Sequence, residues 1–507
     1  MTERTSSDTD LGPDPTVDDA TVDAGDRPDH GRRNTRVIWL LLAATFVVIL
    51  NETIMGVALP KLMTDLRIDA GTAQWLSTAF MLTMAVVIPI TGYLLERFDT
   101  RPIFIAAMSL FSLGTLIAAL APGFEILLLG RIVQASGTAI MVPLLMTTLM
   151  TLVAPAERGK TMGNVSIVIS VAPAIGPTIS GFILDTLSWR WMFWIVLPIA
   201  VAMLVIGIRH VENVTEPQKV PIDVLSVVLS AFGFGGLVYG LSRVGEAVGT
   251  GPGAPSAGIQ MWIALGVGAV ALASFIVRQL LLQRRDVALL DLRTFNSPIF
   301  TVAVSMMAVS MMALFGTIIL LPIYLQNVLH MDPVRVGLLL LPGGLIMGLL
   351  APFVGRIYDK RGPRVLLIPG SIIVSTVLWS LTLVNATTSP FFMLAAHIVL
   401  SLGLALMFTP LFSAGLGAVQ PQLYSHGSAI VGTVQQVAGA AGTALFITIM
   451  TAQTGVLTVS GASPEVALAD GVRMAFLAGA IISLLAIIGA VFIRKPSDAP
   501  GGSHGGH

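Results

Sequence analysis

Charge-poor stretches of about 20 residues recur along almost the whole chain, and they restrict its possible folds more than any other feature. An α-helix rises about 1.5 Å per residue, so such a stretch crosses the roughly 30 Å hydrocarbon core of a bilayer. The predicted spans are 37–59, 73–95, 102–121, 125–153, 163–184, 191–208, 222–242, 260–280, 298–328, 334–355, 364–385, 390–418, 427–452 and 473–493. The sequence therefore predicts an all-α integral membrane protein with fourteen transmembrane helices.

Composition supports this class and excludes several others. Charged residues make up 11% of the chain, against roughly 25% in soluble domains. Lys+Arg and Asp+Glu each number 28, so we expect no basic surface for nucleic acid. The absence of cysteine excludes disulfides and thiolate metal sites, and without a Walker-type loop an ATP-driven pump is unsupported. We predict no enzymatic activity, because no loop is long enough to hold a catalytic domain, and we predict no cofactor. The two histidines of residues 502–507 could bind a metal weakly, but a flexible tail is favoured there, so we predict no metal site.

The ends of the chain and the loop charges predict the topology. Residues 1–36 are rich in acids, Ser, Thr and Pro, and we predict a disordered tail there; residues 494–507 are predicted to be a second flexible tail. An even number of spans places both tails on one side of the membrane. Most loop Lys and Arg residues follow even-numbered spans, so the positive-inside rule predicts that both termini are cytoplasmic.

A repeated loop motif indicates two related halves. Residues 92–101 and 355–364 each begin with glycine, carry an acid four residues later and a base directly after it, and end in arginine. Each copy follows an even-numbered span. The spacing predicts an N-terminal six-helix bundle at 37–208, a linker with two extra transmembrane helices at 209–297, and a C-terminal six-helix bundle at 298–493.

Ionisable residues inside a membrane are costly and are candidate functional sites. Three lie well inside predicted spans, namely Glu52, Arg131 and His397, and all three are placed in the outer half, where they could share one cavity. Glu52 is interpreted either as a proton carrier or as a neutral structural acid. Arg131 keeps its charge and needs a counter-group, which is Glu52, a substrate anion or backbone carbonyls. For His397, a buried histidine whose hydrogen bonds are satisfied by its neighbours is favoured over one that gains and loses a proton.

Further polar and flexible side chains could line such a cavity. Gln134 follows Arg131 by three residues on the same helical face. Gln435 and Gln436 precede a run of small residues in the thirteenth span. Met307 and Met311 in the ninth span are either cavity-lining or ordinary core methionines.

The fifth span carries small residues at four-residue intervals. Ala172, Gly176 and Ser180 form a stripe that allows a neighbouring backbone to approach, and Pro173 and Pro177 each remove a backbone hydrogen bond. Gly181 completes the segment. We predict a bent, tightly packed helix.

Taken in order, these motifs resemble those of the major facilitator superfamily, specifically its fourteen-helix drug:proton antiporter group. The resemblance covers about 37–495 and rests on residues 51–60, both copies of the loop motif, residues 131–137 and residues 172–181. It implies a rocker-switch exporter with a central cavity to which Asn51 also contributes. In the fifth span, Gly176, Pro177 and Gly181 match the mark of antiporters. The loop motifs resemble a cytoplasmic gate closed by charge pairs, formed by Gly92, Glu96, Arg97, Arg101, Gly355, Asp359, Lys360 and Arg364.

The resemblance also implies a function. It is proton-coupled efflux of amphipathic drugs across the cell membrane by a monomer, with no cofactor beyond the proton gradient. From the residues themselves we predict that Glu52 is the main proton site and that Arg131 positions charge in the cavity. The expected partners are small amphipathic substrates, protons and the lipid bilayer. The alternatives are an uptake carrier or lipid exporter on the same fold, and a membrane sensor that does not transport.

Overall fold

The computed structural model describes residues 27–68, 70–214, 221–248 and 254–494, and this part of the chain consists of helices joined by short turns. Its α-helices are α1 Arg27–Leu66, α2 Ala70–Arg97, α3 Thr100–Ala119, α4 Phe124–Leu152, α5 Arg158–Thr186, α6 Arg190–His210, α7 Val224–Ser242, α8 Val244–Val248, α9 Ala254–Leu282, α10 Pro298–Asn327, α11 Pro333–Arg361, α12 Arg364–Leu381, α13 Pro390–Gly417, α14 Tyr424–Val459 and α15 Pro464–Phe492. Short α8 continues the span of α7. Among the described residues 14 helices are long and apolar enough to cross a membrane, which confirms the predicted number.

The ends of the first and last spans differ from the predicted bounds. Helix α1 begins at Arg27, inside the stretch predicted to be the N-terminal tail. Helix α15 begins at Pro464, nine residues before the predicted start at 473, because Ser463 caps its N-terminus by accepting a hydrogen bond from the backbone N–H of Val466. The remainder of both predicted tails, residues 1–26 and 495–507, lies outside the described residues.

Two bundles repeat the same packing. In the N-terminal bundle α1 packs against α4, α5 and α6, α2 against α4, and α3 against α4 and α6. In the C-terminal bundle the same pairs recur as α10 against α13, α14 and α15, α11 against α13, and α12 against α13 and α15. Helices α1–α6 therefore correspond in order to α10–α15. This is the arrangement that the repeated loop motif predicts.

The bundles meet along two seams, which are equivalent to each other under the correspondence of α1–α6 with α10–α15. Helix α5 packs against α11, and its counterpart α14 packs against α2. We call the end of the molecule that carries the α2–α3, α4–α5, α11–α12 and α13–α14 turns the basic end. This is the end that the loop charges predict to be cytoplasmic.

The two extra helices lie over one of these seams. Helices α7 and α9 pack on each other, and α7 also contacts α2 and α14. Buried small and medium side chains meet at this point, namely Ala85 of α2, Val238 of α7 and Ala440 of α14. The extra pair is therefore attached to both bundles.

A hydrogen-bonded ion pair fixes the start of α7 to α9. Asp223 caps α7 by accepting from the backbone N–H of Ser226, and its two carboxylate oxygens accept from Nε and Nη2 of Arg278 at 2.6 and 2.7 Å. Beside it, Gln279 donates to the Ser226 hydroxyl at 2.7 Å. The hydrogen bonds from Arg278 lower the pKa of the Asp223 carboxyl to about 2.

We expect Asp223→Asn to speed amide hydrogen exchange in the first turn of α7, because the neutral amide loses the ion pair and binds the helix N-terminus more weakly. Since folding lowers the pKa of Asp223, this stabilisation is present above the unfolded value of about 3.9 and is lost as the pH falls through about 2. Exchange measured by mass spectrometry at neutral pH checks this. Asp332→Asn is the matched control, because Asp332 occupies the N-cap position of α11 without a capping hydrogen bond, is 75% exposed, and its Oδ2 lies 3.7 Å from Arg335 Nε. If Asp223→Asn speeds exchange at the start of α7 no more than Asp332→Asn speeds exchange at the start of α11, each relative to the wild type, the prediction is wrong.

Candidate functional site

A buried polar cluster in the N-terminal bundle centres on Arg131. Its side chain is 1% exposed, and Nη1 donates to Gln134 Oε1 at 2.7 Å and to Asn51 Oδ1 at 3.3 Å. The guanidinium carbon lies 4.0 Å from the ring centroid of Phe80. Gln134 in turn donates to the Thr115 hydroxyl at 2.8 Å. One arginine thus connects α1, α2 and α4, and through Gln134 also α3.

Glu52 stands next to this cluster but outside its hydrogen bonds. It directly follows Asn51 on α1 and is half-buried, and within the described residues its carboxylate accepts no hydrogen bond. Arg131 lies close enough to interact with it electrostatically. The amide oxygens of Asn51 and Gln134 therefore solvate the permanent charge of Arg131, groups that sequence reasoning did not consider as its counter-groups. Glu52 stays available to another partner.

The small-residue stripe of α5 packs against α1, as its spacing predicts. A Cβ built on Gly176 would lie 2.2 Å from the Thr53 hydroxyl oxygen, so a larger residue does not fit there. One turn on, Ser180 donates to the Ile54 carbonyl at 2.9 Å. Helix α5 runs through Pro177 without interruption. Around Gly181 there is open space, since nothing lies within 4 Å of a Cβ at that position.

His397 lies in the other bundle. Its Nε2 is 3.1 Å from the Leu340 carbonyl oxygen, and its ring packs on Gly343, so it joins α13 to α11. It makes no described hydrogen bond to Glu52 or Arg131. The structure therefore brings Glu52 and Arg131 together and does not add His397 to them.

The remaining cavity candidates divide into two groups. Gln435 and Gln436 are half-buried on α14, and Gln436 Nε2 lies 3.8 Å from Met84 Sδ of α2, across the seam between the bundles. Met307 and Met311 are 1% and 7% exposed and belong to the hydrophobic core. Their packing does not support the prediction that they line a cavity, because neighbouring helices cover both side chains.

At the basic end, Asp359 of α11 binds the start of α5 in the other bundle. Its two carboxylate oxygens accept from the backbone N–H groups of Gly159 and Lys160, both at 2.8 Å. A carboxylate at a helix N-terminus also interacts favourably with the helix dipole. A Cβ on Gly355 would lie 2.0 Å from the Gly159 carbonyl oxygen, so the two backbones are in direct contact.

The N-terminal copy of the motif makes the corresponding contact with α14. Glu96 Oε2 lies 3.0 Å from Nε2 of His426, which is 3% exposed in the first turn of α14. Sequence reasoning missed His426, because the thirteenth span was predicted to begin at 427. The available signal was the correspondence of α5 and α14, which places the first turn of α14 opposite Glu96.

The arginines that end the two motif copies act within their own bundles. Arg101 donates to the Ile208 carbonyl at the C-terminal end of α6, and Arg364 donates to the Val491 carbonyl at the end of α15, both at 2.6 Å. These bonds are equivalent under the internal repeat. Arg101 and Arg364 thus each bind the C-terminal end of a helix, where a cation is favoured. Arg97 is half-buried and Lys360 is exposed.

Hydrogen bonds between the bundles concentrate in the basic half of the molecule. Besides the two carboxylate contacts, Ser166 bonds to Thr409 at 2.8 Å and Thr147 donates to Ser428 at 3.2 Å. Towards the opposite end, the side chains of Phe182 on α5 and Leu338 on α11 are 72% and 60% exposed. The structure is thus closed at the basic end.

Fold and contacts together define a class: membrane proteins in which two equivalent six-helix bundles pack against each other and close at one end. The sequence profile of the Major Facilitator Superfamily matches residues 41–443, and the chain belongs to this superfamily. It is a multi-pass membrane transporter and not an enzyme. The family named from the sequence motifs is confirmed.

Relatives and solved structures agree with this membership. The chain is 41% identical to the "Lincomycin resistance protein LmrB" of Listeria monocytogenes over 90% of this chain and 96% of that protein, and 41% identical to that of Bacillus subtilis over 90% and 95%. It is 28% identical to the "Multidrug resistance protein B homolog" of Mycobacterium tuberculosis over 87% and 81%. The human organic anion transporter MFSD10 shares the fold with a TM-score of 0.63 at 12% identity, covering 90% of this chain and 99% of that one.

Proposed function

We propose that the protein exports amphipathic, mostly apolar drugs from the cell in exchange for protons. The observation that carries this proposal is the identity of 41% over 90% of the chain with proteins named for lincomycin resistance. The α5 stripe agrees with it, because Gly176, Pro177 and Gly181 match the mark of antiporters, and the loop motifs agree with a cytoplasmic gate. Related proteins come from bacteria, so we place the protein in the cell membrane.

In this proposal the molecule alternates between two states by rocking one bundle against the other. Both termini and the basic end face the cytoplasm, following the loop charges. The closed basic end described above then belongs to the outward-facing state. The substrate enters from the cytoplasm when Asp359 leaves the α5 N-terminus and Glu96 leaves His426.

Glu52 is proposed as the site that carries the proton. It is an acid within a transmembrane helix, it accepts no hydrogen bond from the described residues, and the buried charge of Arg131 acts on it. Arg131 keeps a positive charge beside Glu52 throughout the cycle, because arginine does not lose its proton in proteins. A substrate that displaces water around Glu52 changes the balance between the charged and neutral forms of the carboxyl group. Binding of the substrate and binding of the proton are thereby coupled.

The proton gradient supplies enough free energy for such export. One proton that moves down about 100 mV releases roughly 2.3 kcal/mol. At about 1.4 kcal/mol per tenfold change, this supports a substrate gradient of close to 50-fold. We propose that a monomer performs this exchange, with the proton gradient as its energy source and no cofactor. Among the described residues, no group of three or more His, Cys, Asp or Glu side chains is placed to hold a metal.

Glu52→Gln is expected to reduce drug-evoked proton movement by at least about tenfold, because the amide keeps the shape of the side chain but binds no proton. The measurement uses liposomes with an acidic interior and records proton efflux when lincomycin is added outside. Glu125→Gln is the control, since Glu125 is an exposed acid in the first turn of α4. Efflux in Glu52→Gln at the wild-type rate and pH dependence would overturn the role of Glu52. If lincomycin and a panel of amphipathic drugs evoke no efflux in the folded wild type, the proposed exchange is wrong.

A further inference from the structure

The two equivalent halves of the basic end close with different chemistry. Asp359 binds backbone N–H groups at the start of α5, and Glu96 binds an imidazole at the start of α14. A backbone amide keeps its proton at every physiological pH. An imidazole is the side chain whose charge ordinarily changes in this range. One half of the closure therefore contains an imidazole nitrogen that can bind a further proton, and the other half uses backbone amides that cannot.

His426 is fixed between α2 and α14. Its side chain is 3% exposed, Nε2 faces Glu96, and Nδ1 is buried without a hydrogen-bond partner. A Cβ added to Gly92 would lie 3.0 Å from Nδ1, so the backbone of α2 packs directly on the ring. Gly92 and Gly355 hold the same position in the two motif copies. The missing side chain of Gly355 leaves room for the Gly159 carbonyl, and the missing side chain of Gly92 leaves room for the His426 imidazole.

Among the described residues, Glu96 is the titratable group in contact with His426. Other charged or titratable groups belong to the elements around this end of α14 and have partners of their own. Arg158 of α5 donates to the Tyr424 hydroxyl at 3.2 Å, and Arg293, before α10, pairs with Asp291. Asp223 before α7 pairs with Arg278 of α9. On α2 itself, Tyr93 and Arg97 flank Glu96, and the nearby parts of α4, α10 and α13 present Thr147, Phe300 and Leu416.

We propose that His426 and Glu96 form a proton-binding latch, a second proton site separate from Glu52, which holds the basic end closed. The ligand is a proton from the solvent at the basic end, and it binds Nδ1 of His426 while Nε2–H donates to Glu96. The hydrogen bond from a neutral imidazole to the carboxylate then becomes an ion pair between imidazolium and carboxylate, in which both groups are charged and the attraction is stronger. No other bond forms or breaks.

The direction of the effect follows from the geometry. Opening the basic end separates α2 from α14 and removes the carboxylate from the imidazolium. Closure and protonation of His426 therefore favour each other. Acidification at this end therefore increases the population of molecules with a closed basic end, and a rise in pH decreases it. A role for the latch in drug–proton exchange rests on the proposed function. The effect of pH on opening and closing of the basic end does not.

Distance measurements between two spin labels test the latch. The chain contains no cysteine, so Arg209→Cys and Gln420→Cys place one label on each bundle at exposed positions of the basic end without background. The parent carries Glu52→Gln, so Glu52 does not titrate. In lipid nanodiscs we expect the ratio of closed to open molecules to fall by roughly tenfold from about pH 6 to about pH 8, across the titration range of histidine.

Variants of the two halves separate the latch from other causes. His426→Gln and Glu96→Gln should each give a ratio that does not change with pH. Asp359→Asn weakens the half that contains no histidine, so it should lower the closed population at both pH values and keep the same pH dependence. A full pH response in His426→Gln, or none in the parent, would overturn the proposal. If His426→Gln does not fold, Glu96→Gln decides the question. None of these readouts requires transport, so the latch and the proposed exchange can fail independently.

Discussion

Gly355→Ala is expected to reduce transport by more than about 100-fold, because the added methyl group keeps the basic end from closing. The new Cβ would lie 2.0 Å from the Gly159 carbonyl oxygen and 3.2 Å from the Lys160 Cα, which are backbone atoms with little freedom to move. The contact joins the two bundles and not the helices within one bundle. Each bundle should therefore fold normally, and the variant should remain in a state with the basic end open.

Two measurements on Gly355→Ala check this expectation. Drug-evoked proton movement in liposomes reports transport, and the spin-label pair at positions 209 and 420 reports closure. Gly337→Ala is the control on the same helix, because nothing lies within 4 Å of a Cβ at that position. A Gly355→Ala protein that closes its basic end as often as the wild type would contradict the structure at this contact.

Arg131→Met should abolish transport and destabilise the N-terminal bundle by about 2–4 kcal/mol. Methionine has a similar length but donates no hydrogen bond, so the buried oxygens of Asn51 and Gln134 lose their donor. The positive charge next to Glu52 also disappears. Thermal unfolding followed by tryptophan fluorescence measures the first effect, and proton movement per folded molecule measures the second.

Arg131→Lys distinguishes charge from geometry. Lysine keeps the charge, but a single ammonium group does not reproduce the planar guanidinium that reaches both amides and lies over Phe80. We expect intermediate stability and residual transport. If Arg131→Met lowers stability yet each folded molecule transports like the wild type, then Arg131 has only a structural role.

Most of the fold follows from local properties of the sequence. The fourteen spans depend on hydropathy over about 20 residues, which needs no knowledge of distant contacts. The internal repeat was readable because glycine, the acid and arginine keep their spacing in both copies. The polar face of α4 was also predictable, since Gln134 lies three residues from Arg131 on one helical face.

Contacts between distant segments were not predictable in the same way. Phe80 and Thr115 reach the Arg131 cluster from other helices, and no spacing in the sequence connects them to it. Glu96 and His426 are 330 residues apart in the chain. Met307 and Met311 were ambiguous for another reason. A methionine suits a cavity wall and a core equally well, so only the packing of the neighbouring helices determines which of the two it lines. The roles of Glu52, the glutamines and the gate residues stay predictions.

The position of α7 constrains how the two bundles can move. It touches α2 of one bundle and α14 of the other, and Ala85, Val238 and Ala440 meet there without a hydrogen bond between them. Any rotation of the bundles therefore shears at least one side of this contact. Small apolar side chains suit such sliding, because no directional bond has to break as the surfaces pass each other. In the proposed exchange cycle, this contact allows one bundle to slide along α7 while the two added helices stay packed on the other.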